Sequence, residues 1–370
     1  KEMIRSMVID ILQGQKQEAA SSQPVKQAPR GQVEPGVFDT VDDAIQAAKA
    51  AQARFEDCTL ATREKVIADI RATMRPRVQE LAQKTVEETG MGRVADKVLK
   101  LNLTLDKTPG VEDLVTECET GDNGMTLYEL SAYGVIGAIT PSTNPAETLI
   151  CNTIGMLAAG NAVFFSVHPG AKHLSRLLVS ELNQIIAKSI GIENLIVTLR
   201  EPSIESAQEM MLHPDVSLLV VTGGPGVVKQ ALQSGKKVIG AGAGNPPAFV
   251  DETADIKKAA QDIVLGASLD NNILCIAEKS VVAMRQIEPQ LVQEMVKAGC
   301  VLIDNQQDIQ RLVDLTVLPN GTPNKKFVGK NASVILDAAH IPYNGDPRLI
   351  IMRTPKDHPF AVIEMLMPIL

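Results

Sequence analysis

Between Tyr133 and Ala241 the chain alternates short, β-rich apolar runs with helical stretches, a rhythm that few folds accept. "YGVIGAITP" (133–141) reads as a strand and "ETLICNTIGMLAAG" (147–160) as a helix. Strand "AVFFSVHP" (162–169) leads to helix "KHLSRLLVSELNQIIAKSIG", and strand "LIVTLRE" to helix "SIESAQEMMLH". Strand "VSLLVVTGG" (216–224) leads to helix "GVVKQALQ" and a last strand, "KKVIGA". Strands apolar on both faces need helices on both faces to cover them. The alternation predicts an α/β fold built on an open, doubly wound, mostly parallel sheet. A second α/β region is expected from about Asn245, with strands near 279–284, 300–304, 332–336 and 348–353. "MTLYELSAY" (125–133) alternates in part like a strand of an exposed hairpin.

Ahead of the sheet, Thr40 with Asp43 reads as a helix N-cap box, followed by a helix to about Glu56. A helical pattern over Thr62–Thr89 should kink at Pro76 and stop at Gly90. Another covers roughly Arg93–Leu105. The first segment, "KEMIRSMVIDILQGQ", places Met3, Ile4, Met7, Val8, Ile11 and Leu12 on one helical stripe. The Gln-, Ser-, Ala- and Pro-rich stretch after it reads as a disordered linker. A short amphipathic helix on such a tether cannot bury its own stripe. It docks on a partner, folds back on the body, or oligomerises.

Bulk properties exclude several functions. A length of 370 residues suggests two or three domains. A net charge of −8 with only 3% aromatics and no basic stripe is wrong for nucleic acid. Five cysteines, an odd number with no CxxC, argue against a disulfide framework and a structural zinc site and for a reduced cytosolic compartment. No apolar run reaches the ~18 residues of a membrane span. His168 and His173 are five positions apart, the wrong helical spacing for a metal pair, so no metal is expected.

Three stretches could carry chemistry. In "VTGGPGVVKQAL" a strand ends at Thr222, Gly223 and Gly224 before a helix. Such a turn lets backbone N–H groups approach a phosphate, or is merely tight. "GAGAGNPP" (240–247) offers a superficial GxGxG but runs into Pro246-Pro247 instead of a helix, so the dinucleotide fingerprint is not met. "ITPSTNPAETLI" (139–150) sets Pro141, Ser142, Thr143 and Asn144 at the carboxyl end of a strand, where open α/β sheets bind ligands. The Asn144 amide could donate to a developing oxyanion there, or Asn144-Pro145 is only a turn. Cys275, in "GASLDNNILCIAEKS", is a candidate nucleophile, although a lone cysteine is more often a small buried hydrophobe.

Together, "TPSTNPAETLICNTIGMLAAGNAVFFSVHPGAK", "LLVVTGGPGVV", "GAGAGNPPAFVDETADI", "GASLDNNILCIAEK" and "HPFAVIEMLMPIL" resemble the aldehyde dehydrogenase superfamily, and most of all its CoA-acylating propionaldehyde and acetaldehyde dehydrogenases of bacterial microcompartments. The resemblance runs from about Gly36 to Leu370. It implies an NAD(H)/CoA-binding domain over 36–124 and 140–244, an oligomerisation hairpin over 125–139 and a catalytic domain over 245–370. It implies an encapsulation helix over 1–16 docking on shell proteins, a linker over 17–35, and a homo-oligomer, dimer or tetramer. The expected location is the bacterial cytoplasm, in the lumen of a microcompartment.

By the same resemblance Cys275 is the nucleophile, and Asn144 the oxyanion amide, working with the Cys275 backbone N–H. Thr140, Pro141, Ser142 and Thr143 match dinucleotide contacts, as do His168, Pro169 and Gly170, and Thr222, Gly223, Gly224 and Val227. Glu364 matches the carboxylate that holds the nicotinamide ribose. Hydrolytic relatives carry a glutamate base where this chain has Gly240 or Ala241. Lacking that base, a Cys275 thioester should pass its acyl group to the CoA thiol instead of to water. The expected reaction takes a short aldehyde, propionaldehyde first and acetaldehyde second, with NAD and CoA, to acyl-CoA and NADH. The alternatives are a hydrolytic aldehyde dehydrogenase and a catalytically silent shell-docking protein. Family members continue beyond the position of Leu370, so the resemblance places the completion of the catalytic domain and its oligomerising strand outside this sequence.

Overall fold

In the computed structural model, residues 34–370 are described. The helix expected over 1–16 and the linker over 17–35, apart from its last two residues, lie outside the described residues. Strand β1 (Val37–Phe38) precedes helices α1 (Val41–Glu56), α2 (Leu60–Met74), α3 (Val78–Thr89) and α4 (Val94–Lys107). The Thr40 hydroxyl accepts from the Asp43 backbone N–H, capping α1 as its sequence predicts. The long pattern breaks at Pro76 into a 3₁₀ turn over Arg75–Arg77, and Gly90 closes α3 in the left-handed conformation, φ 66°.

A hairpin follows, β2 (Glu117–Gly121) against β3 (Gly124–Tyr128), joined at Asp122-Asn123. Then come β4 (Val135–Ile139), α5 (Pro145–Ala158), β5 (Ala162–Ser166), α6 (Lys172–Ile190), β6 (Ile196–Leu199), α7 (Ile204–Leu212), β7 (Val216–Thr222), α8 (Pro225–Leu232) and β8 (Lys237–Ala241). These strands form the expected parallel sheet, in the order β1-β6-β5-β4-β7-β8. The hairpin lies at 117–128, not 125–139. Val135–Ile139 is buried throughout and forms a central strand of the sheet, whereas every residue of β2 and β3 is exposed. A run apolar on both faces is drawn into the sheet; a polar pair joined by a tight turn stays outside it.

The second region contains β9 (Pro247–Val250), α9 (Ile256–Ser268), β10 (Ser280–Ala283), α10 (Glu288–Lys297), β11 (Cys300–Ile303), α11 (Gln306–Thr316), α12 (Ala332–Ala338), β12 (Leu349–Met352) and α13 (Pro359–Val362). β9 pairs in parallel with β10, and β11 with β12. The strand expected over 332–336 is instead helix α12. Its buried residues Ala332, Ile335 and Leu336 follow helical spacing, which overrides the β propensity of Val334 and Ile335. One large core fills the space between the six-stranded sheet and its helices; two smaller ones lie in the second region.

Candidate active site

From β4 the chain winds out through β5 and β6, then returns to β7 on the other side of β4. Loops leaving β4 and β7 therefore diverge, which opens a crevice at the carboxyl ends of the strands. Thr140 sits at this point, 2% exposed, with a buried hydroxyl that has no hydrogen-bond partner among the described residues. Pro141, Ser142, Thr143 and Asn144 continue half-buried, and Asn144 occupies the N-cap position of α5 with Pro145 behind it.

At the end of β5 the His168 Nδ1 accepts from the Gly170 backbone N–H at 3.0 Å, shaping a 3₁₀ turn over Pro169–Ala171. Burial lowers the pKa of His168, and Lys325 adds to the effect. At the end of β7, Thr222 leads into Gly223 and Gly224. A Cβ at Gly223 would lie 2.7 Å from the Val227 side chain, while one at Gly224 would meet open space. A side chain at Gly223 would thus force Val227 to shift, and Gly224 leaves the start of α8 accessible.

Cys275 lies beyond α9, after a turn that explains the flanking asparagines. Asp270, Asn271 and Asn272 all have positive φ, at 50°, 56° and 63°. Asn and Asp tolerate this left-handed region better than other non-glycine residues. All three are at most 1% exposed, so their polar groups need partners. The Asn271 amide donates to the Gly329 carbonyl at 2.8 Å and to Asn331 Oδ1 at 2.9 Å, and its Oδ1 accepts from Arg93 Nε at 2.8 Å. Asn272 Nδ2 donates to the carbonyls of Ala267 at 2.6 Å and Glu278 at 2.9 Å.

Lys279, 3% exposed, completes the turn from inside. Its Nζ donates to the carbonyls of Asn272 at 2.7 Å and Leu274 at 2.8 Å, and to Asn272 Oδ1. Burial lowers its pKa to about 8, against the opposing pull of Glu364, Cys275 and Glu278. On the outer side, Gly244 packs on Cys275 so closely that a Cβ would fall 2.4 Å from the Cys275 carbonyl oxygen. Gly244 N–H donates to Glu364 Oε1 at 3.1 Å. Burial raises the pKa of Glu364, and the Gly244 bond and Lys279 restrain the rise. Cys275 itself is half-buried.

A buried charge cluster ties the two halves of the site. Lys97 and Lys100 of α4 meet Asp270 Oδ2 at 2.9 and 2.5 Å. Lys97 also donates to the Thr143 carbonyl at 3.0 Å. Lys100 pairs with Glu147 at 3.2 Å and donates to Asn144 Oδ1. The Asp270 Oδ1 accepts from the Arg93 backbone N–H at 2.8 Å, and a Cβ at Gly92, whose φ is +79°, would overlap that same oxygen at 2.0 Å. Burial alone would raise the pKa of Asp270, but Lys100 and Lys97 hold it below the usual carboxylate range. Burial and Lys100 lower Lys97; Lys100, with two carboxylates against burial, is raised.

The residues picked out by sequence thus fall into two groups. Thr140–Asn144, His168–Gly170 and Thr222–Val227 gather at one end of the sheet, while Glu364 meets Gly244 against Cys275. Sequence reading missed Lys97, Lys100, Asp270 and Lys279. A signal existed for Lys97: with Leu101 and Leu105 it forms an i, i+4, i+8 stripe, and all three are buried. No group of three or more His, Cys, Asp or Glu among the described residues could hold a metal ion.

Comparison with known proteins identifies the family. The profile of the aldehyde dehydrogenase family matches residues 11–311. A propanal dehydrogenase (CoA-propanoylating) from Salmonella typhimurium is 49% identical over 336 residues, covering 90% of this chain and 72% of the relative. The crystal structure of a Rhodopseudomonas palustris propionaldehyde dehydrogenase, with bound CoA and an acylated cysteine, superposes with a TM-score of 0.88 at 48% identity, covering 91% of this chain and 77% of that one. A propionaldehyde dehydrogenase from the Clostridium phytofermentans fucose utilisation bacterial microcompartment superposes with the same TM-score of 0.88 at 47% identity and the same coverage, 91% and 77%. The chain belongs to the aldehyde dehydrogenase family.

Proposed function

We propose that this chain is a CoA-acylating aldehyde dehydrogenase that takes propionaldehyde, NAD and CoA to propionyl-CoA and NADH through a thioester on Cys275. The observation that carries the choice of CoA over water is the stretch packed against the nucleophile. "IGAGAGN" (239–245) lies backbone to backbone on Cys275 at Gly244 and carries no acid or base. Gly240 packs toward Val228, and the Ala241 carbonyl accepts from Gly223 N–H at 3.1 Å, so neither position supplies a base to activate water. The relatives named for CoA chemistry, one holding an acylated cysteine, support the same reading.

The residues present fit a dinucleotide. The orphaned Thr140 hydroxyl and the open backbone at Gly224 offer donors in the crevice, and Glu364, fixed by Gly244, is placed for a ribose hydroxyl. NAD, when bound there, supplies the hydride acceptor. The Cys275 thiolate adds to the aldehyde carbon, and the carbonyl electron pair moves onto oxygen. The Asn144 amide and the Cys275 backbone N–H donate to that oxyanion. As the carbonyl re-forms and hydride departs, the acyl group is left on sulfur. The CoA thiolate then adds to the thioester carbon, and Cys275 leaves as thiolate. A thiolate is a far better nucleophile than water near neutral pH, so no strong base is needed for this exchange.

The wider setting belongs to the same proposal. The exposed hairpin carries Met125, Leu127 and Tyr128, each at least half exposed, an apolar surface suited to pairing between subunits. Residues 1–16 serve as the docking segment for shell proteins, with the apolar stripe seen in the sequence as the contact. Following NADH absorbance tests the activity: signal that depends on both propionaldehyde and CoA is expected. Equal NADH formation with CoA omitted, with free propionate as product, would establish the hydrolytic enzyme instead.

A further inference from the structure

The proposed function gives the lysines of α4 no role. Resting on its assignment of Asn144 as oxyanion donor, we propose that Lys100 is a positioning residue for the reaction: it fixes the Asn144 amide so that its N–H₂ end faces the substrate oxygen, and Asp270 keys that amide to the turn bearing Cys275.

A primary amide has one accepting end and one donating end. The accepting end of Asn144 is taken by the Lys100 ammonium, so the donating end must point away from it. Nδ2 reaches only Thr143 Oγ1, at a long 3.4 Å, and that leaves it donor capacity for a substrate oxygen. Lys100 is only 6% exposed; it ion-pairs with Asp270 and Glu147 and donates to Asn144 Oδ1. A purely structural ion pair would need the two carboxylates alone; the third contact, to a neutral amide oxygen, fixes a direction. An ammonium on the carbonyl end also polarises the amide and strengthens its N–H groups as donors.

Asp270 supplies the link to the nucleophile. Its Oδ2 takes both lysines; Lys97 in turn holds the Thr143 carbonyl at 3.0 Å, one residue before Asn144. Asp270 opens the left-handed turn that ends just before Cys275, and Arg93 N–H and the close approach of Gly92 hold it from the other side. The loop carrying the donor and the turn carrying the nucleophile are thus registered on one buried carboxylate. Misplacing a reacting group by about 1 Å can cost on the order of 10²-fold in rate, which is what this register guards against.

The test is a double-mutant cycle between Lys100 and Asn144, read as kcat and KM for propionaldehyde with saturating NAD and CoA. Lys100→Met should lower kcat by about 10²-fold with KM for the aldehyde changed less than about threefold. In the Asn144→Ala background the same change should add less than about threefold, because the residue acts through the amide already removed. Lys100→Arg keeps the buried charge and covers the case where Lys100→Met does not fold. It should fold, lower kcat by about tenfold, and likewise lose its effect in the Asn144→Ala background. Losses that multiply undiminished, or wild-type kcat in both lysine variants, overturn the role of Lys100 alone. Wild-type kcat in Asn144→Ala overturns the oxyanion assignment, and this proposal with it.

Discussion

Gly244 and Cys275 meet through backbone, and that contact sets a sharp demand on one residue. Gly244→Ala puts a carbon 2.4 Å from the Cys275 carbonyl oxygen, with no flexible side chain to yield. The Cys275 turn must shift, so kcat/KM should fall by about 10²-fold or more, with the circular dichroism spectrum unchanged. A fully active Gly244→Ala enzyme would show that the apposition is incidental. Asn144→Ala should lower kcat on the order of 10²–10³-fold, as loss of one oxyanion donor does. A change confined to KM would make Asn144 a binding residue only. Cysteine chemistry separates by site as well. Cys300 is 5% exposed, and burial pushes its thiol up to about 12, so iodoacetamide at pH 8 should spare it while labelling Cys275. Peptide mapping after partial alkylation reads the difference. At this scale the sequence identified Cys275 and Asn144 only through their resemblance to a family, since a lone cysteine and an Asn-Pro turn are common. Lys97 and Lys100 were not visible as site residues, because their partners lie more than forty positions away.

The element that decides the site is the turn 270–272 with Lys279 inside it. Three consecutive left-handed residues are strained, and the bonds from Asn271, Asn272 and Lys279 offset that strain. Asn272→Ala should therefore destabilise the fold by about 1–3 kcal/mol in urea denaturation, because the buried Ala267 carbonyl and the part-buried Glu278 carbonyl lose their donor. Lys279 adds a pH signature. Its folded pKa, lowered to about 8, lies below the ordinary lysine value of 10.5, so between the two the unfolded chain holds more protons than the folded one. Stability from this group therefore rises with pH across that window; the contribution is complete above the upper value and absent below the lower. The stability of wild type relative to Lys279→Met should rise from pH 7 to pH 9.5, and a constant difference would contradict the assignment. The asparagine pair beside Cys275 was legible as something other than core packing, but the positive φ angles were not. The β-α rhythm over 133–241 was legible because strands covered on both faces must be apolar throughout. Helix α12 was misread because four apolar or small residues, "SVIL", satisfy both periods. The hairpin was placed too late because its strands are exposed and carry little periodic signal.

For the molecule as a whole, the sheet supplies the crevice and the second region supplies the nucleophile, and Asp270, Gly244 and Glu364 join the two. No helix among the described residues is long and apolar enough to cross a membrane. The segment 1–16 enters as a proposal from sequence: replacing Ile4, Val8 and Leu12 by Glu puts charge on the apolar stripe, at a cost of several kcal/mol if that stripe is buried on a shell protein. Such a variant should keep its turnover as a free enzyme and no longer co-purify with shells. Retained co-purification, or lost turnover, would contradict docking through that face. The central claim is the acyl thioester on Cys275 and its discharge to CoA, and intact-protein mass spectrometry with peptide mapping tests it most directly. With propionaldehyde and NAD but no CoA, a propionyl adduct should build up on Cys275, persist in buffer, and vanish on addition of CoA as propionyl-CoA appears. An adduct on another cysteine, or one that water clears as fast as CoA does, would contradict the account.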